Sequence, residues 1–450
     1  MLQNASPAIV YSAAHRDTGL LSFDTGALLA ISMAMLLGGL FQIISQISRF
    51  TLWGIWLLIW WLVIRTYSSA DLRMLWKPAW PFLVWFVFYG LWGAIASPIP
   101  VFADVGRDFF RLITIMMAVA VLTSDRVWLR RLASMTSWVL ILNLLVSIAL
   151  REQLPLVQVL VQGDFAHAGI QTLIDRYSGL WGNANAAGMN TLILLVLSAY
   201  GRGWLIWLGR VAGVGLIYLT ASRTSTYVLL LIGLLFLYQT LRDNRRARWL
   251  LTCCAVAVAA VWLSGAVVDF SAVVPEKSTF ARVFDPFETK TAAGGGLTRR
   301  EVMDQWLATL ERGPWHGYGY AAMGGGGSTA TAERTDIPYM GTHNMYIGTW
   351  IDGGFFGGIS FLVLLGFGLW AALRARLAPR DQNVVLALWL VAIVFSAFGH
   401  NFQANLDGQA LYLLCFLLPR SIALTPDFTS QDRRRQLSCA TGSPGPSLVP

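Results

Sequence analysis

Apolar stretches long enough to cross a membrane alternate with short polar segments along most of the 450-residue chain. A helix needs about 20 mostly apolar residues to span the hydrocarbon core of a bilayer. The pattern therefore predicts an all-α, polytopic membrane protein. We place twelve transmembrane helices, at roughly 27–44, 50–64, 79–96, 108–123, 133–150, 186–201, 204–221, 225–241, 249–268, 344–372, 383–399 and 405–420.

The basic residues orient these spans. An even number of spans puts both termini on one side of the membrane, and cytoplasmic loops carry an excess of Lys and Arg. With both termini in the cytoplasm, the short cytoplasmic loops hold Arg65, Arg73, Lys77, Arg126, Arg130, Arg131, Arg202, Arg242, Arg245, Arg246, Arg248, Arg374, Arg376 and Arg380. The short loops opposite hold only Arg49, Arg107, Arg111, Arg151, Arg176 and Arg223. This asymmetry predicts that both termini are cytoplasmic.

Two of the outer loops are large, at about 151–185 and about 269–345. The second contains two glycine runs, 294–296 and 324–327, which flank a predicted amphipathic helix near 298–312. One stripe of that helix carries its large apolar residues, Met303, Trp306 and Leu310. Because glycine runs are flexible joints, the helix is either a hinged element or a simple spacer.

The domain organisation follows from the same pattern. Residues 1–424 form a single predicted transmembrane domain that includes both loops. The tail at 425–450 is polar and carries Pro and Gly, which predicts a disordered cytoplasmic segment. The N-terminus lacks a basic region followed by a short apolar segment and a small-residue cleavage site, so we expect the first apolar segment to be retained.

Composition excludes several classes of protein. Apolar and aromatic residues make up 56% of the chain and charged residues only 13%, which is about half the charged fraction of a soluble domain. The net charge of +9 is spread in small groups between the spans, so we expect no nucleic-acid partner. The four cysteines show neither a disulfide framework nor metal-ligand spacing.

Common catalytic signatures do not occur in the sequence. The stretch 324–328, four glycines followed by Ser328, is not followed by Lys and lies on the predicted outer side, which argues against a phosphate loop for ATP. The sequence contains no HExxH motif, no GxSxG motif and no paired Cys/His cluster. We therefore expect no metal and no cofactor.

Arginines at the outer ends of the spans are candidates for binding a substrate. Arginine keeps its charge and grips phosphate oxygens with a planar fork. Several guanidinium groups converging near the lipid headgroups would suit a lipid-linked diphosphate. The candidates are Arg176, Arg223, Arg299 and Arg300. The alternative for each is headgroup anchoring, or pairing with Asp175, Glu301 or Asp304.

His343 stands where the large outer loop enters the tenth span. It is either an interfacial histidine bonded to backbone or a general base. In the second interpretation, neighbouring arginines would keep the imidazole neutral and able to accept a proton from a hydroxyl.

Further polar residues near the outer ends are secondary candidates. Arg107 and Arg111 precede the fourth span, where an i,i+3 pair between Asp108 and Arg111 is the simpler interpretation. Asp352 lies within the tenth span, where a carboxylate is a functional candidate by default and could orient groups within the bundle.

Four stretches of the sequence resemble the superfamily of O-antigen ligases and O-antigen polymerases, which are bacterial inner-membrane proteins. The first is Arg176-Tyr177-Ser178-Gly179 together with 182–188, which includes Asn185, and the second is 219–224, which includes Ser222-Arg223. The third is Arg299 or Arg300 followed by Trp306 and by Pro314-x-x-Gly317-Tyr318-Gly319. The fourth is His343-Asn344-Met345-Tyr346 followed by Asp352-Gly353 and Gly357. Each stretch is weak alone. In this order, at the predicted outer ends of the spans, they are specific and cover about 170–360.

The resemblance implies a glycosyltransferase with a GT-C-like fold, acting on the periplasmic face of the inner membrane. In the ligase branch, which we favour, a polymeric O-antigen glycan passes from undecaprenyl diphosphate to an outer-core sugar hydroxyl of lipid A–core, which completes lipopolysaccharide. By position, His343 would be the catalytic base of a metal-independent, inverting transfer. The residues carried over as diphosphate ligands are Arg223 and one of Arg299 and Arg300, with Arg176 as a further candidate for that role. Asn185 and Asp352 are secondary site candidates with no role in binding the diphosphate assigned to them.

The two loop arginines lie about 100° apart on a helix, so they should not play the same role. Arg299 continues the stripe of Trp306 and is the preferred ligand, with Arg300 as the alternative.

Three other functions remain open. One is that of a protein-glycosylating relative in the same superfamily, although such chains are usually longer and carry an extra C-terminal region. O-antigen polymerases join lipid-linked repeats and often carry Arg-x10-Gly motifs in two outer loops, whereas here Ala187 follows Arg176 and Leu310 follows Arg299 at that offset. This favours the ligase. A lipid-glycan transporter or flippase belongs to a different class, and transporters commonly show related halves. We find no internal repeat.

Overall fold

The structure, a computed structural model, describes residues 26–33, 49–67, 73, 76–124, 126–152, 179–181, 184–220, 222–241, 249, 253, 299–320, 322, 344–398 and 406–424. Within these ranges the regular elements are helices and no strand occurs. The α-helices are α1 (Arg49–Thr66), α2 (Trp80–Ala96), α3 (Phe102–Thr123), α4 (Arg126–Arg151), α5 (Ala184–Leu197), α6 (Trp204–Thr220), α7 (Arg223–Thr240), α8 (Arg299–Arg312), α9 (Met345–Arg374), α10 (Pro379–Phe398) and α11 (Leu406–Leu424). Residues 26–33 are also helical.

Helices occupy the positions at which the hydropathy pattern predicted membrane spans. The first predicted span is described only at 26–33, and the ninth, 249–268, falls outside the described residues except at 249 and 253. Among the described helices, four are long and apolar enough to cross a membrane: Lys77–Ala96, Arg126–Ala149, Met345–Arg374 and Pro379–Ala397. The all-helical class is confirmed, and the total of twelve spans stays a prediction.

Large apolar side chains remain exposed on the outside of the bundle. Ile95 is 72% exposed, Val211 67% and Val363 64%. Water would disfavour so extensive an apolar surface, whereas lipid tails are as apolar as these side chains. This surface is the one that a membrane-embedded bundle requires.

Contacts between helix ends agree with the alternating directions of successive spans. At one end of the bundle, Arg126 at the start of α4 pairs with Asp381 at the start of α10 at 3.0 Å. At the other end, the Trp92 indole N–H in α2 donates to the carbonyl of Gly353 in α9 at 3.0 Å. The first contact lies on the predicted cytoplasmic side and the second on the predicted periplasmic side.

Helix α10 forms the centre of the bundle. It packs against α5, α7, α9 and α11, and Val384, Leu388 and Val391 along it are completely buried. Helices α5, α7 and α9, whose outer ends carry Asn185, Arg223 and Asp352, are therefore held against one shared neighbour.

Candidate active site

Helix α9 is broken near its outer end. Gly354 has φ 59° and ψ −150°, a backbone conformation open essentially only to glycine. The carbonyls of Ile351 and Asp352 accept hydrogen bonds from the N–H groups of Tyr318 (2.7 Å) and Gly319 (2.9 Å). Backbone groups freed near a membrane need such partners, because an unsatisfied N–H or C=O in lipid costs several kcal/mol. The segment that follows α8 in the chain therefore completes the broken helix.

The segment that completes the break is residues 314–320, which we call the connector turn. The Gly317 N–H donates to the Pro314 carbonyl at 2.9 Å, and Gly317 and Gly319 have φ of 85° and 103°. A Cβ at Gly317 would lie 2.4 Å from the Gly354 nitrogen. Two of the stretches that carried the family resemblance, 314–319 and 352–353, are thus the two halves of one backbone contact.

Replacing Gly354 with alanine tests the break. The positive φ alone costs about 1–3 kcal/mol for a non-glycine residue, and the new Cβ would lie 2.0 Å from the Trp315 carbonyl oxygen. We expect a clear fall in the thermal unfolding midpoint measured in detergent. Gly366→Ala in the same helix is the matched control, because no atom lies within 4 Å of its Cβ position. An equal effect of both substitutions would contradict the role assigned to the break.

The predicted amphipathic helix of the large loop is present as α8 and rests on α9. Trp306 is completely buried in a small cluster with Ala322 and Ile351, and Leu310 packs against that cluster. The Tyr318 hydroxyl, in the connector turn, donates to the Thr309 carbonyl of α8 at 3.1 Å. The apolar stripe at Trp306 and Leu310 is therefore the face that docks, and α8 is a packed element of the site.

The first two family-like stretches also meet, at the outer ends of α5 and α7. A Cβ at Gly188 in α5 would lie 2.0 Å from the Ser225 Oγ and 3.2 Å from the Ser222 Cβ. Ser222 caps α7, because its Oγ accepts hydrogen bonds from the Ser225 N–H at 3.4 Å and the Ser225 hydroxyl at 2.8 Å. This cap makes Arg223 the first residue of α7.

The outer end of α9 is tied to α10. The Tyr346 hydroxyl donates to the Ile393 carbonyl at 3.1 Å. Asn344 caps α9, since its side-chain oxygen accepts a hydrogen bond from the Ile347 N–H at 3.1 Å. His343 directly precedes this cap and itself lies outside the described residues, as does Arg176.

Three predicted diphosphate ligands occupy the starts of helices. Arg223 begins α7, and Arg299 and Arg300 begin α8. Asn185 lies in the first turn of α5 and is partly buried. The unsatisfied N–H groups of a helix start carry positive partial charge, which favours anions there. The positions of these residues are therefore suited to an anionic ligand.

The secondary candidates are engaged by neighbouring groups. Arg111 contacts Asp108 at 3.4 Å, which confirms the predicted i,i+3 pair, and Arg107 contacts Asp104 at 3.0 Å. Asp352 is completely buried, and its carboxylate accepts a hydrogen bond from the Tyr89 hydroxyl at 2.6 Å.

The sequence pattern did not single out the tyrosines of this region. Tyr89 and Tyr320 each bond a carboxylate more than 200 positions away, and Tyr318 bonds a carbonyl of α8 nine positions away. The alternation Gly317-Tyr318-Gly319-Tyr320 was the sequence feature that could have pointed to Tyr318 and Tyr320. Glycines with positive φ allow the backbone and its neighbouring side chains to come close to other helices.

A family model described as O-antigen ligase matches residues 208–362. The resemblance to the O-antigen ligase and polymerase superfamily is confirmed. The match covers about a third of the chain; it runs from α6 into α9 and includes Arg223, α8 and His343. It does not separate the ligase branch from the polymerase branch. No curated protein matches the chain.

Proposed function

We propose that this protein is an O-antigen ligase. It transfers a polymeric glycan from undecaprenyl diphosphate to a sugar hydroxyl of lipid A–core on the periplasmic face of the inner membrane. The observation that carries the proposal is the O-antigen ligase family match over 208–362, which contains Arg223, α8 and His343. The membrane-spanning helices and the helix starts at the outer side support it.

Arg223 and Arg299 hold the donor diphosphate in this proposal. Each is the first residue of a helix, so guanidinium charge and helix-start N–H groups act on the same anion. The register of α8 favours Arg299 over Arg300, because Arg299 falls on the stripe whose member Trp306 is buried against α9. Arg176 is a further proposed ligand.

His343 is the proposed base of a single displacement. The acceptor hydroxyl oxygen forms a bond to the anomeric carbon while the bond from that carbon to the diphosphate oxygen breaks. The hydroxyl proton passes to the His343 imidazole, and the lipid diphosphate leaves with its negative charge stabilised by fixed guanidinium groups. One displacement inverts the anomeric configuration.

Chelation tests the assignment of charge stabilisation to arginine. Because fixed guanidinium groups stabilise the leaving diphosphate in this mechanism, the transfer rate should be unchanged when EDTA is added to the purified protein with both lipid substrates. The same preparation with added Mg²⁺ is the control. An absolute requirement for Mg²⁺ would refute the arginine assignment.

Reconstitution tests the function itself. Purified protein in liposomes, supplied with lipid-linked O-antigen and lipid A–core, should yield glycan-capped lipid A–core and free undecaprenyl diphosphate. Lengthened lipid-linked glycan without capping would instead identify a polymerase. In cells that lack the protein, uncapped core supports the ligase, whereas donor held on the cytoplasmic leaflet would identify a flippase.

A further inference from the structure

The connector turn is a second link between α8 and the rest of the bundle, beside the direct packing of Trp306 against Ile351 of α9. On one side, the Tyr318 hydroxyl holds the Thr309 carbonyl of α8. On the other side, the Tyr318 and Gly319 N–H groups bond the carbonyls at the break in α9. A displacement of the turn would therefore move α8 relative to the outer end of α9.

The far end of the connector turn is anchored on α2 and α3 by Tyr320. Its backbone N–H donates to the Gly93 carbonyl at 2.8 Å, and its hydroxyl donates to the Asp108 carboxylate at 3.1 Å. A Cβ at Gly93 would lie 3.0 Å from the Tyr320 backbone, so this glycine allows the close approach. The turn is thus fixed to three helices, α2, α3 and α9.

The Asp108 carboxylate is held in place and can act as a fixed hydrogen-bond acceptor for Tyr320. Asp108 is only 5% exposed, and Arg107 and Arg111 each contact its Oδ1 at 3.4 Å, which compensates the cost of burying the charge. Its Oδ2 receives the Tyr320 hydroxyl. Burial, followed by the charge of Asp108, raises the pKa of Tyr320 well above its ordinary value, so the hydroxyl stays a donor.

A second tyrosine–aspartate pair lies beside the first. Tyr89 donates to Asp352 at the break in α9, and the rings of Tyr89 and Tyr320 are 6.0 Å apart in an edge contact. Phenylalanine could fill the same volumes, so packing alone does not require the two hydroxyls. Because hydrogen bonds are directional, these two bonds fix the orientation of the connector turn, which non-directional apolar contacts would not do.

We infer that Asp108, acting through Tyr320, is a positioning residue for glycan transfer. The pair holds the connector turn, and the turn sets how α8 meets the outer end of α9. This inference rests on the proposed function, because only there does the placement of the α8 arginines matter to donor binding.

Kinetics of reconstituted transfer provide the first test. Tyr320→Phe removes the hydroxyl that donates to the charged Asp108 carboxylate. Losing a hydrogen bond to a charged group should lower kcat/KM for the donor by about tenfold. We expect the loss mainly in KM, because α8 carries the proposed diphosphate ligands. Asp108→Asn should shift KM in the same direction.

The matched control is Asp381→Asn. Asp381 is also buried and paired with an arginine, at 3.0 Å from Arg126, but at the opposite end of the bundle. This variant should lower the unfolding midpoint without raising the donor KM. An equal rise of KM in Asp381→Asn and Tyr320→Phe would mean a general loss of stability and would overturn the inference.

A distance measurement gives a readout that does not depend on activity. Spin labels at the exposed positions Leu307 in α8 and Val363 in α9, in a variant with the four cysteines replaced, should give a narrow distance distribution. Tyr320→Phe should broaden it. An unchanged distribution, or a broadened one with unchanged KM, would overturn the inference. If the unsubstituted protein transfers no glycan at all, the proposed function fails, and the distances still report whether Tyr320 and the connector turn hold α8 in place.

Discussion

His343→Ala is expected to abolish measurable glycan transfer while donor binding and thermal stability are retained. A sugar hydroxyl is a weak nucleophile until its proton is removed, and a positioned base contributes about 10²–10⁴-fold to the rate. The measurement is capping of lipid A–core in liposomes, with donor affinity measured separately by binding of lipid-linked glycan. The loss should therefore appear in kcat.

His15→Ala is the matched control, because the predicted topology places His15 on the cytoplasmic side. It should leave transfer unchanged. His343→Gln keeps a polar side chain of similar reach but cannot act as a base at neutral pH, so it should be as inactive as the alanine variant. Substantial turnover by His343→Gln would remove His343 as the base and leave it a structural residue.

Arg223→Ala is expected to lower transfer by about 10²–10³-fold, the usual effect of removing one preorganised group that stabilises developing negative charge. Arg223→Lys should retain part of the activity, because lysine keeps the charge and loses the planar fork. The dependence of initial rate on donor concentration separates the two variants. Equal losses in both would show that geometry and not charge is the property required at position 223.

Arg210 offers a matched control for Arg223. It lies on the neighbouring helix α6, and its guanidinium group donates to the Ser198 hydroxyl and the Ser198 carbonyl, both at 3.1 Å. Those contacts lie toward the predicted cytoplasmic side. Arg210→Lys should therefore affect stability without changing the donor KM, and a donor effect as large as that of Arg223→Lys would contradict the assignment of the site to the outer ends.

The broken helix explains why two glycine-rich stretches recur in the family resemblance. The connector turn can approach α9 only because Gly317 and Gly354 present no side chains where their backbones touch. The sequence showed these glycines, and it placed 314–319 in one of the family-like stretches. It did not show that the turn's partner was the interior of a predicted span.

Local patterns predicted the helices well for a physical reason. Span length is set by bilayer thickness, and the stripe of α8 is set by the 3.6-residue repeat, so both can be read within 20 residues. The predicted helix near 298–312 is present as Arg299–Arg312, and the pair between Asp108 and Arg111 is a single-turn contact. None of these required knowledge of the rest of the chain.

Hydropathy and motif spacing were enough to predict a helical membrane protein, the helices that lie within the described residues, and the arginines and histidine to be tested. Two contacts became visible only in the folded chain: Tyr89 bonds Asp352, 263 positions away, and Tyr320 bonds Asp108, 212 positions away. Contacts at such separations depend on how several helices pack together, and a tyrosine or aspartate has the same local signature whether or not its partner is present. Local hydropathy therefore predicts the individual helices, whereas the packing of helices brings Tyr89 and Tyr320 to their carboxylate partners.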